Sequence, residues 1–166
     1  CAPGLARHFA CEQFELFSDK SIIKEEKERA YSMINYDSAF EAYASDIDDD
    51  VLEKARANAA RAGVDKHIKI FRADARDIKK LDRRGTVVCN PPYGERLMTP
   101  VEVEQLYRAM GKCFARFDPW QMYVLTSCES FERWFGRRAD KVRKLYNGMI
   151  PCPLYQYFKP KFDRKK

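Results

Sequence analysis

Nowhere in this sequence do two cysteines stand at Cys-x-x-Cys spacing, although it holds six, at positions 1, 11, 89, 113, 128 and 152. The gap excludes a paired-cysteine zinc module. The apolar or strand-like neighbours of these residues make them reduced, mostly buried thiols and not a disulfide frame. Histidine is scarcer still: His8 and His67 are isolated from one another and from cysteine or carboxylate partners at ligand spacing, so no metal is expected. No apolar run nears the roughly 18 residues that a membrane span needs, and the opening residues lack the basic-then-apolar order of a secretion signal. The expectation is a cytoplasmic chain with no membrane partner. Internal repeats, low-complexity tracts and clear linkers are missing as well, which leaves one domain as the default for 166 residues.

What is present is core-forming material and positive charge. Hydrophobic residues make up 45% of the chain, enough for a sizeable core. Lysine and arginine number 31 against 25 aspartates and glutamates, a net charge of +6 that is unevenly spread and permits a polyanion such as RNA or DNA. Arg137, Arg138, Lys141, Arg143 and Lys144 form one basic run, which reads as a solvated face that could also meet phosphates. Lys159, Lys161, Arg164, Lys165 and Lys166 read as a frayed tail. Phe9, Phe14, Phe17, Phe131, Trp134 and Phe135 lie beside helical stretches and read as core packing.

Periodicity supplies the elements. Residues 18–35 put Ile22, Ile23, Lys27, Ala30, Met33 and Ile34 near one face of an amphipathic helix. Residues 39–48 read as a strand ending in acid. Asp48 then caps a helix over 49–62 with Leu52, Ala55, Ala59 and Ala62 as its stripe and Gly63 as its terminator. A second strand covers 67–74. Residues 85–90 form a nearly continuous apolar run of the kind that parallel sheets bury on both faces. Thr99, Pro100 and Glu102 open a helix over 101–116 whose core stripe is Val103, Leu106, Met110, Cys113 and Phe114. A strand over 120–127, a short helix over 128–136 ending at Gly136, and a tight hairpin at Asn147-Gly148 complete the chain. Pro151 and Pro153 remove backbone donors from the second hairpin arm, as at an edge or a bulged start. The pattern is α/β, mostly parallel, with an antiparallel strand at the end.

Ligands of open parallel sheets lie beyond the carboxyl ends of the strands. Three strands here end in Asp46, Asp74 and Asn90. Asp46 could accept both hydroxyls of a ribose, or it could help to cap a helix together with Asp48, Asp49 and Asp50. Asp74 could accept from the amine of an adenine ring while Ala75 or its neighbour offers an N–H, or it could pair with Arg72 or Arg76. In Asn90-Pro91-Pro92-Tyr93 each proline biases the preceding residue away from helical angles, so the exit from the strand is stiff. The Asn90 side-chain oxygen and the Pro91 carbonyl then form two fixed acceptors for an amine on a flat ring, Tyr93 can lie against the ring face, and Gly94 gives room. Such acceptors favour positive charge building on an otherwise poorly nucleophilic nitrogen as an electrophile approaches, without a strong base. The alternative is a proline-stiffened loop with a core tyrosine. Arg96, three residues on, is a candidate phosphate or substrate contact.

Asn90-Pro91-Pro92-Tyr93 resembles the signature of S-adenosylmethionine-dependent methyltransferases that modify exocyclic amines, and Asp46 and Asp74 match in order and spacing their ribose- and adenine-binding acids. The longer stretches "APGLARHFACEQF", "SDIDDDVLEKARANAARAGV", "NPPYGERL" and "RKLYNGMIPCPLYQY" resemble a narrower group, the bacterial THUMP-associated ribosomal RNA guanine-N2 methyltransferases of the large-subunit type. This likeness covers almost the whole chain. It implies a Rossmann-like α/β sheet of order 3-2-1-4-5-7-6 with strand 7 antiparallel, and S-adenosyl-L-methionine held by Asp46, Ile47, Asp74, Ala75 and Asn90. It also implies catalysis by Asn90, Pro91, Pro92 and Tyr93, substrate contacts from Tyr93, Gly94 and Arg96, and Asn147-Gly148 as the turn between the last two strands. The implied partners are large-subunit ribosomal RNA and an upstream THUMP RNA-binding module. The four-residue loop is shared with DNA adenine-N6 and protein glutamine-N5 methyltransferases, so those acceptors stay open, as does a noncatalytic RNA-binding module.

Members of the group also resemble one another in a first strand and a glycine-rich loop, with wording like D-P-x-C-G-S-G-T. Here nothing precedes Cys1 and the only early glycine is Gly4. Residues 1–166 are therefore expected to be the carboxy-terminal part of a catalytic domain that lacks its central strand and is inactive alone.

Overall fold

The computed structural model describes residues 5, 7–35, 37, 39–93 and 98–158. They divide into two compact units, with the boundary after Ala73.

In the first unit two short 3-10 turns, Ala10–Gln13 and Glu15–Phe17, lead into α1, Ser21–Ser32. No residue of α1 is buried, and Ile22, Met33, Phe9 and Phe14 are all exposed. The expected packing of Phe9 and Phe14 is therefore corrected, and the expected stripe of α1 is covered in part: Ile23, Lys27, Ala30 and Ile34 are half-buried, while Ile22 and Met33 are exposed. The contacts joining the leading turns to α1 are polar ones: Glu12 accepts from the Phe9 N–H at 3.2 Å and sits 3.8 Å from Lys27 Nζ. Such partly exposed contacts are worth little, because water and salt still reach them.

The βαβ core of this unit is better made. β1, Ala42–Asp46, pairs in parallel with β2, Ile68–Arg72, in the register Ala42↔Ile68 through Asp46↔Arg72. Between them runs α2, Asp49–Arg61, whose Leu52 and Ala59 are buried. As the sequence suggests, Asp48 caps α2, accepting from the N–H groups of Asp50 at 2.9 Å and Val51 at 3.3 Å. Gly63 follows with φ +66°, a left-handed angle that a side chain would oppose.

The second unit carries a four-stranded sheet of order β3-β4-β8-β5. Its strands are β3, Thr86–Cys89, β4, Gln121–Leu125, β5, Lys141–Arg143, and β8, Leu154–Tyr157. β3 and β4 are parallel; β8 runs antiparallel to both β4 and β5. This is the 4-5-7-6 portion of the expected order, and β2-β1 supplies the 3-2 portion. Among the described residues β1 pairs only with β2, and β3 only with β4. A separate correction concerns the faces of β3: Val88 is 74% exposed, so the run is not covered on both faces.

α3, Pro100–Phe114, is the spine of this unit. Its N-terminus is the expected capping box, with Thr99 Oγ1 accepting from the Glu102 N–H at 3.4 Å and the Thr99 N–H donating to Glu102 Oε2 at 2.7 Å. Val103, Leu106, Met110, Cys113 and Phe114 are buried, as is Tyr107, against Met122 and Val124 of β4 and Tyr155 and Tyr157 of β8. The short helix α4, Phe131–Phe135, adds Phe131, whose ring meets Tyr107 edge-on at 5.1 Å. A Cβ on Gly111 would lie 2.0 Å from the Phe135 carbonyl oxygen, so the close approach of α3 to α4 requires glycine there.

The chain ends in a long hairpin. Beyond β5 and before β8 lie two short strands, β6, Tyr146–Asn147, and β7, Ile150–Pro151, paired Tyr146↔Pro151 and Asn147↔Ile150. The turn residues are thus Gly148 and Met149, not Asn147 and Gly148. Glycine takes the first central position at φ +60° and no described non-glycine residue has positive φ, which is the II′ pattern. Despite the flanking prolines, the Cys152 N–H donates to the Leu145 carbonyl at 2.8 Å and keeps the arms together.

Candidate functional site

Asp46 and Ile47 close β1 in the first unit. The half-buried Asp46 uses one carboxylate oxygen to accept from the Asp48 N–H at 3.0 Å, and its other oxygen has no partner among the described residues. Ile47 is exposed, and its carbonyl accepts from Arg72 Nε at 3.1 Å. Arg72 also pairs with Asp49 at 3.3 Å, which settles its choice between the nearby acids.

Asp74, Ala75 and Asn90–Tyr93 belong to the second unit. Asp74 is claimed by Arg76: its oxygens accept from the Arg76 N–H at 2.8 Å and from Nε at 2.9 Å and 3.0 Å, and Arg76 Nη2 closes the fork. The guanidinium bonds hold the Asp74 carboxyl below its ordinary value of 3.8; partial burial opposes that, while the Arg76 N–H and charge reinforce it. Ala75 packs with Ile78 against the core of this unit.

At the end of β3 the chain passes from a half-buried thiol to an exposed amide. Burial pushes Cys89 up to about 12, so it is an inert thiol. Asn90 is exposed and makes no side-chain hydrogen bond to another described residue. Pro91 is buried, and Pro92 is half-buried.

Two residues absent from the sequence-based site hold this exit in place. Tyr107 Oη donates to the Pro92 carbonyl at 2.8 Å and lies 2.8 Å from Thr126 Oγ1, which accepts from the Cys128 N–H at 3.1 Å. A phenol has one proton, and the Pro92 carbonyl can only accept it, so Thr126 must donate to Tyr107. The result is a directed chain from the Cys128 N–H through two hydroxyls to the loop. Tyr107 and Thr126 are fully buried, and burial raises the Tyr107 phenol well above its usual range. A phenol beside the core stripe of α3 was the available signal, because a buried tyrosine hydroxyl needs a partner.

Tyr93 is half-buried, and its hydroxyl accepts from Asn147 Nδ2 at 3.3 Å, across 54 residues of sequence. Gly94 and Arg96 lie outside the described residues, as do the basic residues from Lys159 onward. The other basic run is less uniform than expected: Arg137 is not a solvated side chain but lies 5.1 Å over the Tyr157 ring and 3.8 Å from Asp140. A cavity of about 340 Å³ between α3 and α4 is lined by Arg108, Lys112, Arg133 and Arg137 and touches none of the sequence-based site residues.

Residues 1–156 match a family model described as UPF0020, RMKL-like, methyltransferase domain. The chain is similar to YpsC of Bacillus subtilis (strain 168), provisionally named an RNA methyltransferase: 40% identity over 166 residues, covering 99% of this chain and 43% of that protein. It is 34% identical over 155 residues to the ribosomal RNA large subunit methyltransferase K/L of Legionella pneumophila (strain Lens), covering 93% of this chain and 22% of that one. The chain thus spans less than half the length of either relative. Among solved structures it is similar to SMU.472, a provisionally named methyltransferase crystallised with SAH, at 36% identity and a TM-score of 0.86, covering 96% of this chain and 42% of that one. The architecture is the Rossmann-like α/β fold of S-adenosylmethionine-dependent methyltransferases.

Proposed function

The chain belongs to the UPF0020 family of RMKL-like methyltransferase domains, and from that premise we propose that, as part of the full-length enzyme, it serves to methylate the exocyclic N2 amine of a guanine in large-subunit ribosomal RNA with S-adenosyl-L-methionine. The observation that carries the reading is the exit from β3, where a buried hydrogen-bond chain anchors the Pro92 carbonyl and leaves the Asn90 amide exposed, with no side-chain hydrogen bond to another described residue.

The two acids fit such a cofactor unequally. Asp46 keeps one carboxylate oxygen without a described partner, as a ribose diol would need, whereas each oxygen of Asp74 already takes two bonds from Arg76, so an adenine amine would displace part of that fork. Ala75 and Ile47 are the neighbouring backbone contacts. When bound, S-adenosyl-L-methionine supplies a methyl group on a sulfonium centre.

The residues of the chain do the remaining work. Asn90 Oδ1 and the Pro91 carbonyl accept the two N–H groups of the guanine amine, and the Pro92 carbonyl stays out of the cradle because Tyr107 occupies it. As the amine nitrogen gains positive charge, these fixed dipoles stabilise it without reorganising, and the surplus proton leaves to water. Tyr93 lies against the base, with Gly94 and Arg96 on the substrate side. A THUMP-type RNA-binding module outside this chain is part of the same proposal.

The test incubates undermodified large-subunit ribosomal RNA with labelled S-adenosyl-L-methionine and the protein, both as this chain and as the full product of its gene. Nucleosides are then resolved by mass spectrometry. N2-methylguanosine is expected from the full product of the gene, in which Asn90→Ala should lower turnover on the order of 100-fold or more, while robust turnover by this chain alone would overturn its expected inactivity. N6-methyladenosine, or methylated glutamine in a protein acceptor, would transfer the reading to a rival substrate. Calorimetry that finds no SAH binding to either form would leave a noncatalytic RNA-binding module.

A further inference from the structure

The hairpin tip exposes more apolar surface than its fold requires. Met149 is 94% exposed, Tyr146 58% and Ile150 53%, and none of them belongs to the core of the second unit. The tip is nonetheless well defined: its ladder is paired, its turn has the II′ pattern, and Asn147 Nδ2 donates to the hydroxyl of Tyr93. Cross-strand partners share a face of a hairpin, so Ile150 lies on the face of Asn147 that meets Tyr93, and Tyr146 points to the other side. Lys144 Nζ lies 5.4 Å from the centroid of the Tyr146 ring, and Arg143 of the edge strand β5 is exposed just before it.

We propose that this hairpin is a clamp for single-stranded RNA: Met149 and Ile150 bear on the nucleotide held at Tyr93, Tyr146 stacks on a base flanking it, and Arg143 and Lys144 contact the phosphates between. The proposal rests on the methylation reading above for the role of Tyr93. Aromatic faces interleaved with cations are how proteins grip unpaired strands without reading their sequence. A base presented for methylation has left its stack, so its neighbours offer open faces that a duplex would hide.

The test is fluorescence anisotropy with a labelled oligoribonucleotide of about 12 nucleotides, single-stranded or annealed to its complement. No cofactor is added, so the result does not depend on methyl transfer. Tyr146→Ala and Met149→Ala are each expected to weaken single-strand binding about 10-fold, while Tyr146→Phe retains it. Lys144→Ala should flatten the dependence of log affinity on log salt by about one. Because the tip adds nothing to the core, these variants should melt with the parent, and a paired circular-dichroism melt checks that. Unchanged single-strand affinity in the Tyr146→Ala, Met149→Ala double variant would overturn the clamp. So would an equal loss on the duplex, or displacement of the RNA by polyglutamate that depends on the same two residues. Hairpin-dependent RNA binding in a protein that makes no N2-methylguanosine would uphold the clamp and remove the guanine reading alone.

Discussion

The two units of this protein solve one local problem with unequal means. Each has a parallel strand pair joined through a helix, and each ends a strand in a polar residue suited to a ligand. In the first unit the helix between the strands fully buries only Leu52 and Ala59, and the β1–β2 ladder carries side chains that are at most half-buried. In the second, α3 buries six side chains and is ringed by aromatics, with Phe131, Phe135, Tyr155 and Tyr157 stacked or tilted at 4.7 to 5.3 Å. The difference reaches the strand ends. Asp46 is held by a neighbouring backbone N–H, whereas Asn90 leaves a loop anchored in the core through Tyr107 and Thr126. Under the proposed function the second arrangement is the useful one, because buried supports hold a loop in one orientation.

Variants can break that contrast. The largest effect is expected from Phe131→Ala, which empties the centre of the aromatic cluster and should cost about 3–5 kcal/mol in urea unfolding. Leu52→Ala should cost about 2–4 kcal/mol, but with a different signature. Hydrogen exchange should quicken in β1, α2 and β2 while the amides of α3 and β4 stay protected; uniform loss would show that the two units unfold as one. Tyr107→Phe sharpens the contrast further. It preserves the packing but strands the Pro92 carbonyl and the Thr126 hydroxyl, so a loss of about 1–3 kcal/mol is expected, with quicker exchange confined to the loop and its contacts.

The smallest effect concerns acid. Arg76 lowers the Asp74 carboxyl in the folded chain, so this pair stabilises the fold above the ordinary aspartate value of 3.8 and its contribution fades as pH falls through the lowered folded value. Asp74→Asn should flatten the acid limb of the stability profile without altering the neutral plateau by more than a surface pair is worth. Carbon-detected NMR titration of Arg76→Ala should find the Asp74 value moved upward.

Much of this was readable in one dimension. The Asp48 cap, the Thr99 and Glu102 capping box, and the left-handed angles of Gly63 and Gly136 follow from chemistry within four residues of each position, and each forms where the pattern put it. The stripe of α3 was legible because 3.6-residue periodicity survives burial. The same rule held in part at α1, where Ile23, Lys27, Ala30 and Ile34 of the stripe are half-buried but Ile22 and Met33 are exposed. Pattern misled at β3, where an apolar run does not tell how many faces are occupied. Of the two arginines open as partners of Asp74, Arg76 takes the role, because Arg72 is drawn to Asp49. The hairpin signal was sound in kind and displaced by one residue in register, since Gly148 satisfies the II′ position as well as it would a position beside Asn147.

What one chain of letters decided here was the alternation of elements, their ends, and the stiff proline exit from β3, because caps, turns and proline geometry act through bonds and near neighbours. What folding alone decided was which hydroxyl anchors that exit and which amide reaches Tyr93. Those partners lie 15 and 54 residues away along the chain, and only the packing of α3 and the return of the hairpin bring them within hydrogen-bond distance.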